Sequence, residues 1–125
     1  MKIPVRSTPD KFFIQVLGLM SNFMPIKELR PKEKRVLAEI LYQHYRFRDN
    51  PERNRVILIF SSEVRKDMRD RLGMSDATFS FNLSMLRKKG VLGKDNYLPK
   101  FLAYIMPTGD TFDFTVSFML IKEDE

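Results

Sequence analysis

The chain contains no cysteine, no tryptophan and a single histidine. Without thiols there is no disulfide and no thiolate metal centre. One histidine with no cysteine also falls short of the ligand sets on which zinc sites are built. No apolar run is long enough to span a bilayer. The longest, Phe12 to Met24, is roughly half the needed length and is broken by Gln15, Ser21 and Asn22. Met1 to Arg6 holds an early proline and no apolar stretch of the kind that directs secretion. These absences predict a soluble, cytoplasmic protein with no membrane contact, and the lack of cysteine fits a reducing compartment. Catalytic patterns are missing too: there is no nucleophile elbow, phosphate loop, metal-ligand spacing or histidine–carboxylate pattern. Asp110, Asp113 and the acidic C-terminus read as a solvated turn and tail. Neither enzymatic activity nor a cofactor is expected.

What is present suits one domain. A chain of 125 residues with 43% hydrophobic content can bury a core without covalent staples. The net charge is +6 and the isoelectric point about 9.7, which favours an anionic partner through long-range attraction. On its own that balance does not separate nucleic-acid binders from other basic domains.

Ile3 to Val5 reads as a short strand or an arm. Thr8, Pro9 and Asp10 then form a helix start, and the helix runs to about Phe23, before Pro25. Its apolar stripe is wide, so it is either wrapped by the rest of the chain or used between copies. Phe12, Phe13, Val16, Leu17, Met20 and Phe23 are its candidate dimer or partner contacts. A second helix is predicted from Pro31 to Phe47, where Val36, Leu37, Ile40, Leu41, Tyr45 and Phe47 keep a 3.6-residue period. His44 lies on the edge of that stripe and reads as a buried or half-buried structural residue.

Arg48 to Arg55 is a charged turn. The apolar run Val56 to Phe60 reads as a short buried strand. Ser61 or Ser62 caps a helix ending at Gly73. Ser75 or Asp76 caps the next, which runs to about Lys89 and ends at Gly90. Tyr97 to Met106 is strand-like, Pro107 to Asp110 a turn, and Phe112 to Leu120 alternates with a period of two.

Two short helices joined by Gly73-Met74-Ser75 and followed by a hairpin form a specific order. The stretch SDATFSFNLSMLRKKGVL resembles the recognition helix of bacterial winged-helix regulators of the multiple-antibiotic-resistance-regulator type. RPKEKRVLAEILYQHY looks like their first core helix. The plain architecture is also similar to that of phage-encoded winged-helix proteins. The resemblance implies an α+β, mainly α fold: a winged helix-turn-helix with an extra N-terminal helix and a C-terminal β-hairpin wing. Residues 1–30 would be an arm and helix, 31–121 the winged helix, and 122–125 a polar tail. It further implies a small dimeric transcription regulator that binds double-stranded DNA with the second helix of the motif in the major groove.

At 100° per residue, Phe79, Leu83 and Leu86 fall within about 60° of one another and anchor that helix. Thr78, Phe81, Met85, Lys88 and Lys89 take the opposite face, with Ser80 and Asn82 as further candidates for base contact. Arg65, Lys66, Arg69, Arg71, Arg87, Lys88, Lys89 and Lys94 are the candidate phosphate contacts; six of them would give a salt slope of roughly −5. Phe81 and Met85 stand where the family usually carries polar or basic residues. They suit a thymine methyl, a protein partner or burial against the N-terminal helix. The hairpin tip, Pro107 to Thr111, carries no cation. The alternative reading is therefore a winged-helix protein–protein interaction module, such as a phage accessory or virion component, engaging its partner through Phe81 and Met85 or through the N-terminal helix.

Overall fold

Residues 2–122 are described in a computed structural model; Met1 and residues 123–125 of the expected polar tail lie outside them. Proline and short polar residues set most of the helix starts. Pro9 opens helix α1 (Pro9–Leu19) after an extended Thr8, whose hydroxyl donates to Asp10. Two 3₁₀ turns, Met20–Asn22 and Ile26–Glu28, carry the chain round Pro25. Pro31 opens α2 (Pro31–Arg46), and the Glu33 carboxylate accepts the Arg30 backbone N–H at 2.9 Å, which satisfies one of the donors a helix start leaves unpaired.

Helices α3 (Glu52–Ile59), α4 (Ser62–Leu72), α5 (Asp76–Lys88) and the single turn α6 (Lys100–Ala103) follow. Ser61 and Ser75 cap α4 and α5 by accepting from the backbone N–H groups of Val64 and Thr78. Both helices close with paired bonds around a left-handed glycine. Met74 N–H reaches Arg69 C=O across Gly73 (φ 66°), and Val91 N–H reaches Leu86 C=O across Gly90 (φ 79°).

Helix α2 is the hub. It packs against α1, α3, α4 and α5, and its Val36, Leu37, Ile40 and Leu41 are wholly buried. Phe13, Val16 and Leu17 of α1, Met68 and Leu72 of α4, and Phe79, Leu83 and Leu86 of α5 close round it. The wide stripe of α1 is thus wrapped in part: Phe13, Val16 and Leu17 are buried, whereas Ile14 and Leu19, and Phe23 and Met24 beyond the helix, stay exposed. None of the helices among the described residues is long and apolar enough to cross a membrane.

The α+β expectation is overturned. The structure is all-helical, with no strand among the described residues, so there is no sheet and no β-hairpin wing. Val56–Phe60 lies in α3 and its end rather than in a strand. Pro51 is extended and precedes Glu52, an acid in the first turn, and Val56 and Ile59, three apart, turn inward. A short apolar run fits either period, and with no neighbouring strand the helix satisfies its own backbone.

Pro99 likewise starts α6 within the expected strand Tyr97 to Met106, and Leu102 and Ile105, again three apart, are buried. That removes the partner of Phe112 to Leu120, which has no regular structure. Phe112 rests edge-on against Phe12 with ring centres 5.3 Å apart, and beyond it the segment is exposed.

Candidate nucleic-acid interface

Helices α4 and α5 form a helix–turn–helix pair through the left-handed Gly73. Phe79, Leu83 and Leu86 fix the inner face of α5. The outward stripe follows from the period: Ala77, Phe81, Ser84 and Lys88 are successive neighbours along one face, and all four are exposed. Phe81, at 58% exposure, is its most prominent apolar side chain.

The structure divides the expected contact residues into two groups. Asn82 is buried, and its amide donates to Thr78 C=O at 2.8 Å, so it faces the protein rather than solvent. Thr78, Ser80 and Met85 are half-buried along the flanks of α5. Ser80 accepts from Arg65 at 3.3 Å, and the Arg65 guanidinium also lies over the Phe79 ring at 5.6 Å.

Arg69 pairs with Asp76 at 2.8 Å and ties the end of α4 to the start of α5. Arg87 donates twice to the Asn96 side-chain oxygen, at 3.0 and 2.6 Å, and so pins the loop after α5, where Asn96 itself is left-handed. Lys89 turns inward to Glu33 at 2.5 Å and to Glu28 C=O at 3.0 Å. Lys66, Lys88 and Lys94 remain exposed, with no carboxylate within 4.0 Å among the described residues.

Among the expected partner contacts of α1, Phe13, Val16 and Leu17 belong to the core and Phe12 and Met20 are packed against it, while Phe23 is exposed.

Two acids that carry the pair escaped sequence analysis. Glu33 is only 1% exposed. Burial works to raise its pKa, but the Arg30 N–H and the Lys89 ammonium outweigh this and leave it below the ordinary carboxylate value. Glu39, also buried, meets Arg71 at 2.6 Å and accepts from Gln43 at 3.2 Å. Burial would lower the Arg71 pKa, but the Glu39 carboxylate raises it. Arg71 also lies over Tyr42 at 4.7 Å, and Arg35 donates to the last carbonyl of α4, that of Leu72, at 3.0 Å. The available signal was position. Glu33 stands three, four and seven residues before Val36, Leu37 and Ile40, on the apolar stripe itself.

His44 is buried, and its Nδ1 accepts from Arg55 Nε at 3.3 Å. Burial, with the nearby Arg55 charge, lowers its pKa to about 4. Because arginine can only donate, the neutral ring carries its proton on Nε2, a buried nitrogen with no acceptor among the described residues.

Comparisons with protein-family models, with curated proteins and with solved structures find no match to this chain.

Proposed function

We propose that this chain is a small helical DNA-binding protein that lays α5 against duplex DNA and acts in transcription. One observation carries this reading: a short helix pair joined by a tight turn leaves the outward stripe of the second helix, Ala77, Phe81, Ser84 and Lys88, exposed among the described residues. The exposed cations Lys66, Lys88 and Lys94 and the net charge of +6 supply the attraction. Base reading is sparse, because Ser84 is the exposed hydrogen-bonding side chain near the middle of the stripe. Ala77 and Phe81 offer apolar contact to thymine methyls. Affinity then comes mostly from phosphates, and sequence preference is modest. Dimer formation and a cytoplasmic setting belong to the same proposal.

The test is binding to random duplex DNA across a salt series. Three phosphate contacts give a log–log slope of about −3. The joint variant Lys66→Ala/Lys88→Ala/Lys94→Ala should remove binding at low salt while leaving the fold intact. Absence of wild-type binding at low salt would sink the reading. Light scattering in the same buffers reads the mass with and without DNA.

A second reading has its own observation. Phe81 is exposed while its polar neighbour Asn82 is buried, which favours a protein partner seated on α5. Phe81→Ser separates the two. Under the DNA reading it weakens binding by a few-fold at most; under the other it removes the partner.

A further inference from the structure

A cleft of about 220 Å³ lies where the end of α2, the start of α3 and the segment 98–106 meet. It is formed by different elements from the outward stripe of α5. Its two sides differ in chemistry. His44 and Tyr45 come from α2, Arg48 from the turn that follows it and Arg55 from α3, whereas Leu98, Ala103 and Met106 supply an apolar wall.

Both arginines are held in place by the protein. Arg48 donates to Tyr45 C=O at 2.9 Å and lies over the Tyr45 ring at 4.3 Å. Arg55 donates through Nε to His44 and through Nη1 to Asn50 C=O at 2.7 Å. Each fork is thereby oriented while keeping further N–H groups for an acceptor. Neither has a carboxylate within 4.0 Å among the described residues, although Glu52 borders the same cleft. Arg55 is half-buried, so a fixed cation sits partly out of water with no carboxylate counter-ion among the described residues. A planar guanidinium fork matches a carboxylate better than a spherical anion.

We propose that this cleft binds a small amphipathic carboxylate, with Arg48 and Arg55 holding the carboxylate and Leu98, Ala103 and Met106 covering the apolar body. The size fits a small molecule, since the cleft falls below the roughly 300–1,000 Å³ typical of sites for drug-sized ligands. The apolar wall favours an organic carboxylate over inorganic phosphate, which would leave that wall uncovered.

The test uses the full chain and four probes: benzoate, benzamide, acetate and inorganic phosphate. Binding is read by calorimetry and by nitrogen–proton chemical shifts, including the arginine Nε–H signals. Benzoate should bind saturably and move the Arg48 and Arg55 signals. Benzamide lacks the charge and acetate lacks the body, so each should bind at least about tenfold more weakly. Arg48→Gln should weaken benzoate by about tenfold or more. Ala103→Phe fills the cleft from an exposed position and should abolish binding in a chain whose melting midpoint is unchanged. Glu52→Gln removes the acid that borders the cleft among the described residues and should tighten benzoate about two- to fivefold. The proposal is overturned by no saturable benzoate binding at tens of millimolar. Equal binding of benzamide or phosphate overturns it as well, as does unaltered benzoate affinity in a folded Ala103→Phe variant.

Discussion

Helix α5 and the segment from Phe112 to Ile121 both space aromatic and aliphatic residues regularly. In α5 the period is helical, and Phe79, Leu83 and Leu86 are sealed against α2 and α4. In the C-terminal segment the period is two, yet Phe118 is 87% and Leu120 97% exposed. The two differ in what each needs from the rest of the chain. A helix closes its backbone hydrogen bonds within itself and asks only for a surface to cover one face. A strand needs another strand along its edge before any side chain is worth burying. α5 found α2, but the C-terminal segment lost its hairpin partner when Pro99 turned the preceding stretch into α6, and the expected strand Val56–Phe60 lies in α3 and at its end as well.

The largest expected effect lies on the α5 side. Phe79→Ala removes a wholly buried ring from the joint between α4 and α5, and should lower unfolding free energy by about 3–5 kcal/mol. Chemical denaturation reads it. A loss within about 0.5 kcal/mol would mean that α5 is not held by this face, and the contrast between the two segments would fail.

Acid gives the next effect and tests the hub rather than α5. The folded His44 pKa is about 4, against 6.5 unfolded. The unfolded chain therefore binds the proton first, and stability falls as pH drops from about 6.5 towards 4. The shift corresponds to about 3 kcal/mol. Glu33 acts in the opposite sense of charge and lower in pH. Its folded pKa is depressed, so its contribution is present above the ordinary carboxylate value and is lost below it. Denaturant midpoints between pH 7 and 4 should fall for wild type. They should stay nearly flat for His44→Gln, and an unchanged slope in that variant would remove the histidine from the account.

Much of the helical frame was legible in the sequence, and the reason is local. α2, α4 and α5 announce themselves by period, by Pro31, Ser61 and Ser75 at their starts, and by Gly73 and Gly90 at their ends. All of these signals act over a few residues. α3 and α6 were misread because a short apolar run carries no period of its own, and only the absence of a neighbouring strand decides it. The candidate interface was legible as a face but not as a set of contacts. Whether a cation is available depends on long-range partners: Lys89 finds Glu33 across 56 positions and Arg71 finds Glu39 across 32. Sequence spacing cannot distinguish Lys88, which is exposed, from Lys89, which is consumed.

That pair of adjacent lysines supplies a smaller and sharper test. Lys89→Ala leaves Glu33 buried without its cation and should cost about 2–3 kcal/mol. Lys88→Ala should change stability by less than about 0.5 kcal/mol and, under the DNA-binding proposal, should weaken that binding and make the salt slope shallower by about 1. If the two variants exchanged these phenotypes, the division of the cations into structural and exposed groups would be wrong.

The smallest effect belongs to the C-terminal segment. Phe118 is 87% exposed among the described residues, so Phe118→Ser should leave the unfolding stability of a dilute sample within about 0.5 kcal/mol of wild type. Phe112→Ser should do more, about 1 kcal/mol, because that ring meets Phe12. The order of these two separates pattern from partnership, since both residues sit on the same period-two stripe. A loss at Phe118 as large as at Phe112 would show that the stripe is covered along its length. Repeating the Phe118 measurement at high protein concentration identifies what covers it, because a strand edge supplied by a second copy strengthens with concentration whereas one supplied by the same chain does not.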